Sequence, residues 1–445
     1  MRAHRRVVVL GAGRSGLAAA RLLRHAGADV FVSDSAPLGE AARATLQKLQ
    51  IPYEEGGHTS QALDSAELVV LSPGISLDTP IVQAARARGI PVWGELELAY
   101  RFCPSSKIIA VTGTNGKSTT TLLIEKLLKT ADLDVISAGN LGVPLSERIH
   151  EITPETIVVL ETSSFQLESI ERFRPHVAVF LNIAPNHLDR HGSFEEYLKA
   201  KCRIFENQTE DDLLVLPRDL SLPQRPRSRM IFYDALLPGL NALAEHWQLN
   251  AAAAWAAARL FAPDLPMPQR EDLPRLPHRQ EFIAEISGVK FYNDSKATTV
   301  HATLAALAAI PGPLVLILGG RAKGQDFSLL AEALSRYEIC EVCLMGESAL
   351  QIAHALERAN FRRFVFIESF DEAVERALRY PGASCLLSPA CASFDRFSSY
   401  EERGEAFRQA VWRRSVEDIR PASPRQSPAS LSTRGPSAQS HVVLG

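Results

Sequence analysis

The sequence predicts an α/β protein built from three consecutive parallel-sheet domains, and three observations predict it. Short β-branched runs recur along the chain, each closed by a glycine or polar turn and followed by a helical stretch. Two of these turns, at 11–16 and 113–116, are glycine-containing loops of the kind that leave backbone N–H groups free for phosphate. Pro-Ser-Ser at 104–106 and the prolines at 263, 266, 268, 274 and 277 divide the chain into units, each long enough for its own core. Strands alternating with helices imply parallel sheets, whose ligands gather at the carboxyl ends of the strands.

The whole-chain figures exclude several classes. With 445 residues, 46% of them hydrophobic, 22% charged and a net charge of -3, the chain reads as an ordinary globular protein. No basic patch points to nucleic acid, and Arg225, Arg227 and Arg229 in a proline-rich loop read as solvated. Six cysteines form no disulfide framework. Cys340 and Cys343 lie in a strand-like run and read as packing, since no second pair completes a zinc site. The apolar run from Val7 to Leu10 is too short for a signal peptide or a membrane span, so a cytoplasmic protein with no membrane span is expected.

In the first unit, the strand from Val7 to Leu10 feeds Gly11-Ala-Gly-Arg-Ser-Gly16 and then an apolar helix. Alone, this G-x-G-x-x-G admits a dinucleotide, another nucleotide or no ligand at all. Asp34 closes the next strand near the offset at which an acid meets a ribose hydroxyl. The strand Leu68 to Leu71 ends in Ser72-Pro73-Gly74 at the same edge, and Val92 to Gly94 leads into a helix from Glu95 to Phe102.

The second unit opens on Ile108 to Thr112, a buried-type strand running into Gly113, Thr114, Asn115 and Gly116 and then a helix from Lys117, Ser118 and Thr119. The usual phosphate loop has glycine where this chain has Val111, so the loop is a shorter variant. Its amides would hold phosphates, Lys117 would reach the terminal oxygens and the Ser118 hydroxyl would sit on Mg2+. Two further strands, Thr156 to Leu160 and Val177 to Leu181, are followed by Glu161 and by His187, which should converge on the same sheet edge. Ser193-Phe-Glu-Glu196 is a capping box for a helix through about Glu206. On that helix Lys201 falls inside the apolar stripe of Tyr197, Leu198, Ile204 and Phe205, whereas Lys199 points away. A lysine there must be paired, neutral or modified, because an unpaired buried ammonium is costly. From Asp212 to Leu240 no clear pattern emerges beyond a loop around Pro223 and Pro226, and an Ala-rich helix runs from Asn250 to Phe261.

The third unit holds strands at 288–292, 314–318, 341–345, 364–367 and 384–387. Polar turns follow three of them, carrying Asp294, Lys296 and Thr298, then Lys323, then Ser393, a donor set suited to a carboxylate-bearing substrate. Beyond about Val416 the Ser, Pro, Ala and Arg content predicts a disordered tail, 417–445.

Six segments, TGTNGKS (112–118), ETSSFQLE (161–168), NHLDR (186–190), LPHR (276–279), NDSKAT (293–298) and SPACAS (388–393), resemble the motifs of the Mur ligases. These are the ATP-dependent amino-acid ligases of peptidoglycan synthesis, and the resemblance covers roughly 7–416. It implies a Rossmann-like domain at 1–94 for the UDP end of the substrate, an ATP-binding domain at 95–276 and a Rossmann-like amino-acid-binding domain at 277–416. The NDSKAT and SPACAS segments imply D-glutamate as the incoming amino acid and UDP-N-acetylmuramoyl-L-alanine as the acceptor, joined through an acyl phosphate. By the same resemblance, Gly13, Arg14, Ser15, Asp34, Ser35, Ser72, Gly74, Asn140 and Ser163 would bind the UDP substrate. Gly113 to Thr119, Asn250, Arg279 and Asp294 would bind ATP; Lys296, Thr298, Lys323, Ser393 and Tyr400 would surround D-glutamate. Two Mg2+ ions would sit on Ser118, Glu161, His187 and a carbamylated Lys201, with Lys117, His187 and Lys201 catalytic in a monomer.

The chain departs from the family pattern at Asn186, where aspartate is common, at Trp247 in the segment before the Ala-rich helix, with Gly239 further upstream than usual, and at Ala36. A sister ligase for another amino acid, or a folylpolyglutamate-type ligase, would share the ATP loop and the lysine. An NAD-dependent oxidoreductase would account for 11–16 but would leave Lys117, Glu161 and Lys201 without a role.

Overall fold

The computed structural model describes residues 6–419 apart from 141, 235–236, 238–239, 241–244, 275, 311 and 323, with side chains as far as 415. Its first sheet comprises β1 (Arg6–Leu10), β2 (Asp29–Ser33), β3 (Tyr53–Glu54), β4 (Leu68–Leu71) and β5 (Val92–Gly94), in the order β3-β2-β1-β4-β5 and parallel throughout. Helices cover both faces, so the central strand β1 is an unbroken apolar run, with Val7, Val8, Val9 and Leu10 all wholly buried.

The second sheet comprises β6 (Ile108–Thr112), β7 (Val135–Gly139), β8 (Ile157–Glu161), β9 (Val177–Phe180), β10 (Leu213–Pro217) and β11 (Arg229–Tyr233). Its order is β11-β10-β9-β6-β8-β7, again all parallel. The chain leaves β6 for the β7 edge, returns through β8 and crosses to β9, so the direction of winding reverses beside β6. A crevice opens at such a reversal, at the carboxyl end of the sheet. The stretch without a sequence pattern thus holds two strands, and β11 escaped notice because Arg229, Met230 and Phe232 are exposed at the sheet edge.

The third sheet comprises β12 (Glu281–Ile286), β13 (Val289–Asn293), β14 (Leu314–Gly319), β15 (Ile339–Met345), β16 (Phe364–Phe366) and β17 (Ser384–Leu387), in the order β12-β13-β17-β14-β15-β16. Only β12 runs antiparallel, as the first arm of a hairpin that turns at Ser287 and Gly288, both at positive φ. The other pairings are parallel, as the alternation of strands and helices predicts. β13, β17 and β14 are neighbours, so the three polar turns that follow them lie side by side.

The helix Glu95–Phe102 has the predicted bounds. The capped helix is shorter, Phe194–Cys202, and continues as a 3-10 turn over Arg203–Phe205. The Ala-rich helix starts earlier than expected, Glu245–Ala258; the final helix, Tyr400–Ile419, takes in the first three residues of the expected tail, and 420–445 lie outside the described residues. Among the described residues no helix is long and apolar enough to cross a membrane.

Candidate functional site

The phosphate-type loop hangs between two strand ends. β6 pairs with β8 so that Val111 faces Glu161, and with β9 so that Thr112 faces Phe180. The chain beyond β9 then ties the loop down: Thr114 N–H donates to Asn182 O (3.1 Å), and the Asn182 side chain accepts from Asn115 N–H (2.9 Å) and donates to Asn115 O (3.1 Å). Thr114 Oγ1 exchanges hydrogen bonds with Ala184 O and N–H (3.1 and 3.0 Å) and lies 3.2 Å from Tyr197 Oη. Gly113 approaches β9 so closely that a Cβ would lie 3.0 Å from Leu181 Cβ. Gly116 sits at φ +86°, where a Cβ would meet Asn250 Oδ1 at 2.2 Å. Glycine is required at both.

Two amines converge inside this loop. Lys117 Nζ donates to Gly113 O (3.0 Å) and Thr114 O (2.9 Å), and Lys201 Nζ donates to the same Gly113 O (2.9 Å). Lys201 is 1% exposed, and its amine lies 4.8 Å from the centre of the Tyr197 ring. Burial, then the neighbouring Lys117 cation, holds the Lys201 amine well below the ordinary lysine range, with Glu161 opposing. Burial also lowers Lys117, again opposed by Glu161 and reinforced by Lys296 and Arg279. The stripe on the Phe194–Cys202 helix thus placed Lys201 correctly inside, and Lys199 outside.

Glu161 is buried; its Oε1 accepts from Asn140 Nδ2 at 2.7 Å, whereas among the described residues Oε2 has no hydrogen-bond partner. His187 follows at φ +54°, its ring edge-on to Phe165 at 4.8 Å. Lys117, Ser118, Glu161, Asn186 and His187 line one small cleft together with Arg279, Lys296, Thr298 and Tyr400 from the third domain. A connected cleft adds Ser163, Lys201 and Ser393. The Lys296 amine lies 5.3 Å from the centre of the Tyr400 ring, and burial lowers its pKa. A buried carboxylate and a serine hydroxyl lining the same cleft are the oxygen donors a hard divalent cation takes. Among the described residues no group of three His, Cys, Asp or Glu side chains could hold a metal ion.

On the other side of Asn115 and Gly116 opens a larger cleft of about 740 Å³. Leu181, Ile183, Leu198, Leu249 and Tyr233 supply its apolar walls; Asn182, His246, Asn250 and Arg279 are among its polar groups. Its place beside the phosphate loop and its mixture of apolar wall and few polar groups suit a nucleoside. Trp247 donates from Nε1 to Gln280 Oε1 (3.4 Å).

The remaining predicted residues distribute as follows. Asp294 is wholly buried: its Oδ1 accepts from Gln280 N–H (3.1 Å) and its Oδ2 from Ser388 Oγ (2.8 Å), and burial raises its pKa to about 6. It lines neither cleft and stands behind Arg279. Asp34 accepts from Ala12 N–H (2.6 Å) and Ala36 N–H (2.9 Å), so one oxygen shapes the loop at 11–16 and the other its own turn. Gly13, Arg14, Ser35 and Gly74 are exposed around it, Ser15 is half-buried, and Ser72 Oγ donates to Gly11 O at 3.2 Å. Arg14 also lies 3.5 Å from Glu147 of the central domain. Lys323 and Gly239 lie outside the described residues.

Two organising residues went unnoticed in the sequence. One is Asn182. The other is Arg403, buried and bonded to Ser295 Oγ and O, Ala392 O and Cys391 O at 2.8–3.2 Å, which locks two of the third domain's turns together. Its signal was available, since it lies four residues before the buried Phe407 on the same helical face, the pattern that singled out Lys201.

Comparison with known proteins agrees with this geometry. Family models match at residues 5–94, for the MurD-like N-terminal domain of Mur ligases, and at residues 111–235, for the Mur ligase middle domain. A UDP-N-acetylmuramoylalanine–D-glutamate ligase of Pelotomaculum thermopropionicum is 40% identical, covering 92% of this chain and 97% of its own. One from Geobacillus kaustophilus is likewise 40% identical, over 92% and 97%. Among solved structures, the UDP-N-acetylmuramate-alanine ligase of Thermotoga maritima superposes with TM-score 0.56 at 21% identity, covering 93% of this chain and all of its own. The MurF ligase of the same organism, in complex with ADP, gives 0.56 at 17%, over 86% and 95%. At 40% identity over nearly the full length of both chains, the protein belongs to the UDP-N-acetylmuramoylalanine–D-glutamate ligases, within the Mur ligase family.

Proposed function

We propose that this chain joins the amine of D-glutamate to the carboxylate of UDP-N-acetylmuramoyl-L-alanine, driven by ATP. The observation that carries the chemistry is a single cleft lined at once by Lys117, Glu161 and His187 from the central domain and by Lys296, Thr298 and Tyr400 from the third. The choice of D-glutamate rests on the relatives, which bear that substrate in their names.

In this mechanism the nucleoside occupies the large cleft, with Asn250 and Arg279 on its walls, and the phosphates lie along Gly113 to Thr119. Lys117 exchanges the carbonyls of Gly113 and Thr114 for phosphate oxygens, whose charge favours its protonated form. Mg2+ would be held by Ser118 and Glu161 Oε2, and a second ion by Glu161, His187 and a carbamylated Lys201, to neutralise charge on the transferred phosphoryl group. The depressed pKa of Lys201 supports that modification, because only the neutral amine adds to carbon dioxide.

The UDP end would lie against Gly13, Arg14, Ser15, Asp34, Ser35, Ser72 and Gly74, with Asn140 and Ser163 leading towards the phosphates. The substrate carboxylate attacks the terminal phosphate, giving an acyl phosphate and ADP. The D-glutamate amine, positioned by Lys296, Thr298, Ser393 and Tyr400, with Lys323 added by the resemblance alone, then displaces phosphate. Cations around both centres stabilise the charge that develops there. We take residues 1–94, 95–276 and 277–416 as the three substrate domains and one chain as the working unit.

The test is phosphate release from ATP with UDP-N-acetylmuramoyl-L-alanine and Mg2+, comparing D-glutamate with L-glutamate, L-alanine and diaminopimelate. Turnover with D-glutamate alone is expected. Turnover with another amino acid would overturn the specificity, and turnover with none would overturn the function.

A further inference from the structure

Of the NHLDR segment the mechanism uses only His187, and it gives no task to Arg190. Arg190 lies in the short helix Leu188–His191, directly after the metal-side His187, yet its guanidinium reaches the first domain. Nη1 donates to Gly74 O and Nη2 to Ile75 O, both at 3.1 Å, and Nη2 also donates to Glu168 Oε2 at 3.1 Å. Gly74 and Ile75 belong to the turn after β4, beside the loop at 11–16.

Resting on the function proposed above, we infer that Arg190 is a positioning residue that sets the UDP-binding edge of the first domain against the catalytic loop of the central one. Three features single it out from an ordinary surface ion pair. The planar fork engages two successive carbonyls, which fixes an angle as well as a distance; a lysine could not do this. The Arg190 and Glu168 side chains are both 18% exposed, so water competes weakly for these bonds. Glu168 is itself held in place, by His191 Nδ1 at 3.2 Å and by the Arg203 guanidinium on its backbone carbonyl.

The same guanidinium stacks 4.7 Å from the centre of the Phe165 ring, and Phe165 in turn packs edge-on against His187. One side chain therefore contacts the turn of the first domain and, through one aromatic ring, the residue assigned to the second metal. A substrate whose UDP end lies in the first domain and whose carboxylate must meet the phosphate at Lys117 spans this joint. Its reacting atoms reach attack distance only when the joint holds its angle. The nucleoside cleft does not include Arg190 or its partners.

The test is steady-state kinetics on the full chain for each substrate separately, with melting temperature and amide hydrogen exchange over 72–79. Exchange there is readable because Ile75 N–H and Thr79 N–H are hydrogen-bonded within the turn. Arg190→Ala is expected to raise KM for the UDP substrate at least tenfold, to lower kcat, to leave KM for ATP within twofold, and to speed exchange over 72–79 severalfold. Arg190→Lys should fall between, and Glu168→Gln, which keeps an acceptor, should lie near wild type; these two variants carry the test if Arg190→Ala fails to fold. An unchanged KM for the UDP substrate with unchanged exchange would overturn the inference. So would a uniform rise in all KM values with a lower melting temperature, the mark of a structural role alone. If the wild-type chain shows no D-glutamate-dependent turnover, the function proposed above fails, whereas exchange over 72–79 still decides whether Arg190 holds the joint.

Discussion

Lys201 concentrates the site's chemistry in one residue. Its amine and that of Lys117 share the Gly113 carbonyl; burial lowers the pKa of both, and the Lys117 cation lowers that of Lys201 further. An entering anion or a change to one amine would offset this cost. The proposed carbamylation would relieve this by replacing a buried cation with an anion able to ligate the proposed metal. In buffer containing 13C-bicarbonate, the wild-type protein should show a carbamate carbonyl resonance that is missing from Lys201→Ala. Activity of that variant should fall about a hundredfold or more, beyond the usual cost of losing an outer-shell partner of a metal. A Lys201→Ala spectrum that retains the signal would place the carbamate elsewhere. The position was legible in the sequence because a lysine on an apolar stripe breaks a rule that few residues break.

At the scale of elements, the loop at 113–116 owes its shape less to its own glycines than to the segment after β9. The Asn182 side chain satisfies both the N–H and the C=O of Asn115, as a neighbouring strand would. Asn182→Ala leaves both groups unpaired, at roughly 1–3 kcal/mol for each buried one. It should raise KM for ATP about tenfold while leaving KM for D-glutamate nearly unchanged, measured by the same phosphate assay; equal effects on both would show that the whole edge had moved. Such an anchor cannot be read from periodicity, since it depends on which backbone atoms a folded loop leaves bare. The buried parallel strands, by contrast, were plain: β1, β6, β8 and β9 are apolar on both faces. β11 and β12 were hidden because exposed edge residues and an antiparallel hairpin blur the apolar run.

Across the whole molecule, the second and third sheets present their carboxyl edges to one shared cleft, and the sequence repeats one motif, strand then polar turn, in all three units. Charge buried between those units makes the assembly sensitive to acid. Burial pushes the imidazoles of His191 and His246 down to about 4, aided by Arg190 and Lys201 for the first and by Arg279 for the second. Both are neutral in the folded chain at pH values where the unfolded chain, near the ordinary 6.5, already binds a proton. The unfolded state therefore takes up more protons, and the stability these two residues contribute above pH 6.5 is lost as the pH falls towards 4. Carboxylates with depressed pKa values, among them Glu54 and Asp212, add to the same acid limb, so the wild-type slope alone does not isolate the histidines. His246→Gln does: it keeps a polar group at the cleft wall and removes the proton-binding site. Melting temperatures followed from about pH 7 to 4.5 should fall less steeply in that variant, the two curves separating by a few degrees at the acid end, on the order of 2–4 °C for each kcal/mol. Parallel curves would mean that His246 is as easily protonated in the folded protein as in the unfolded chain.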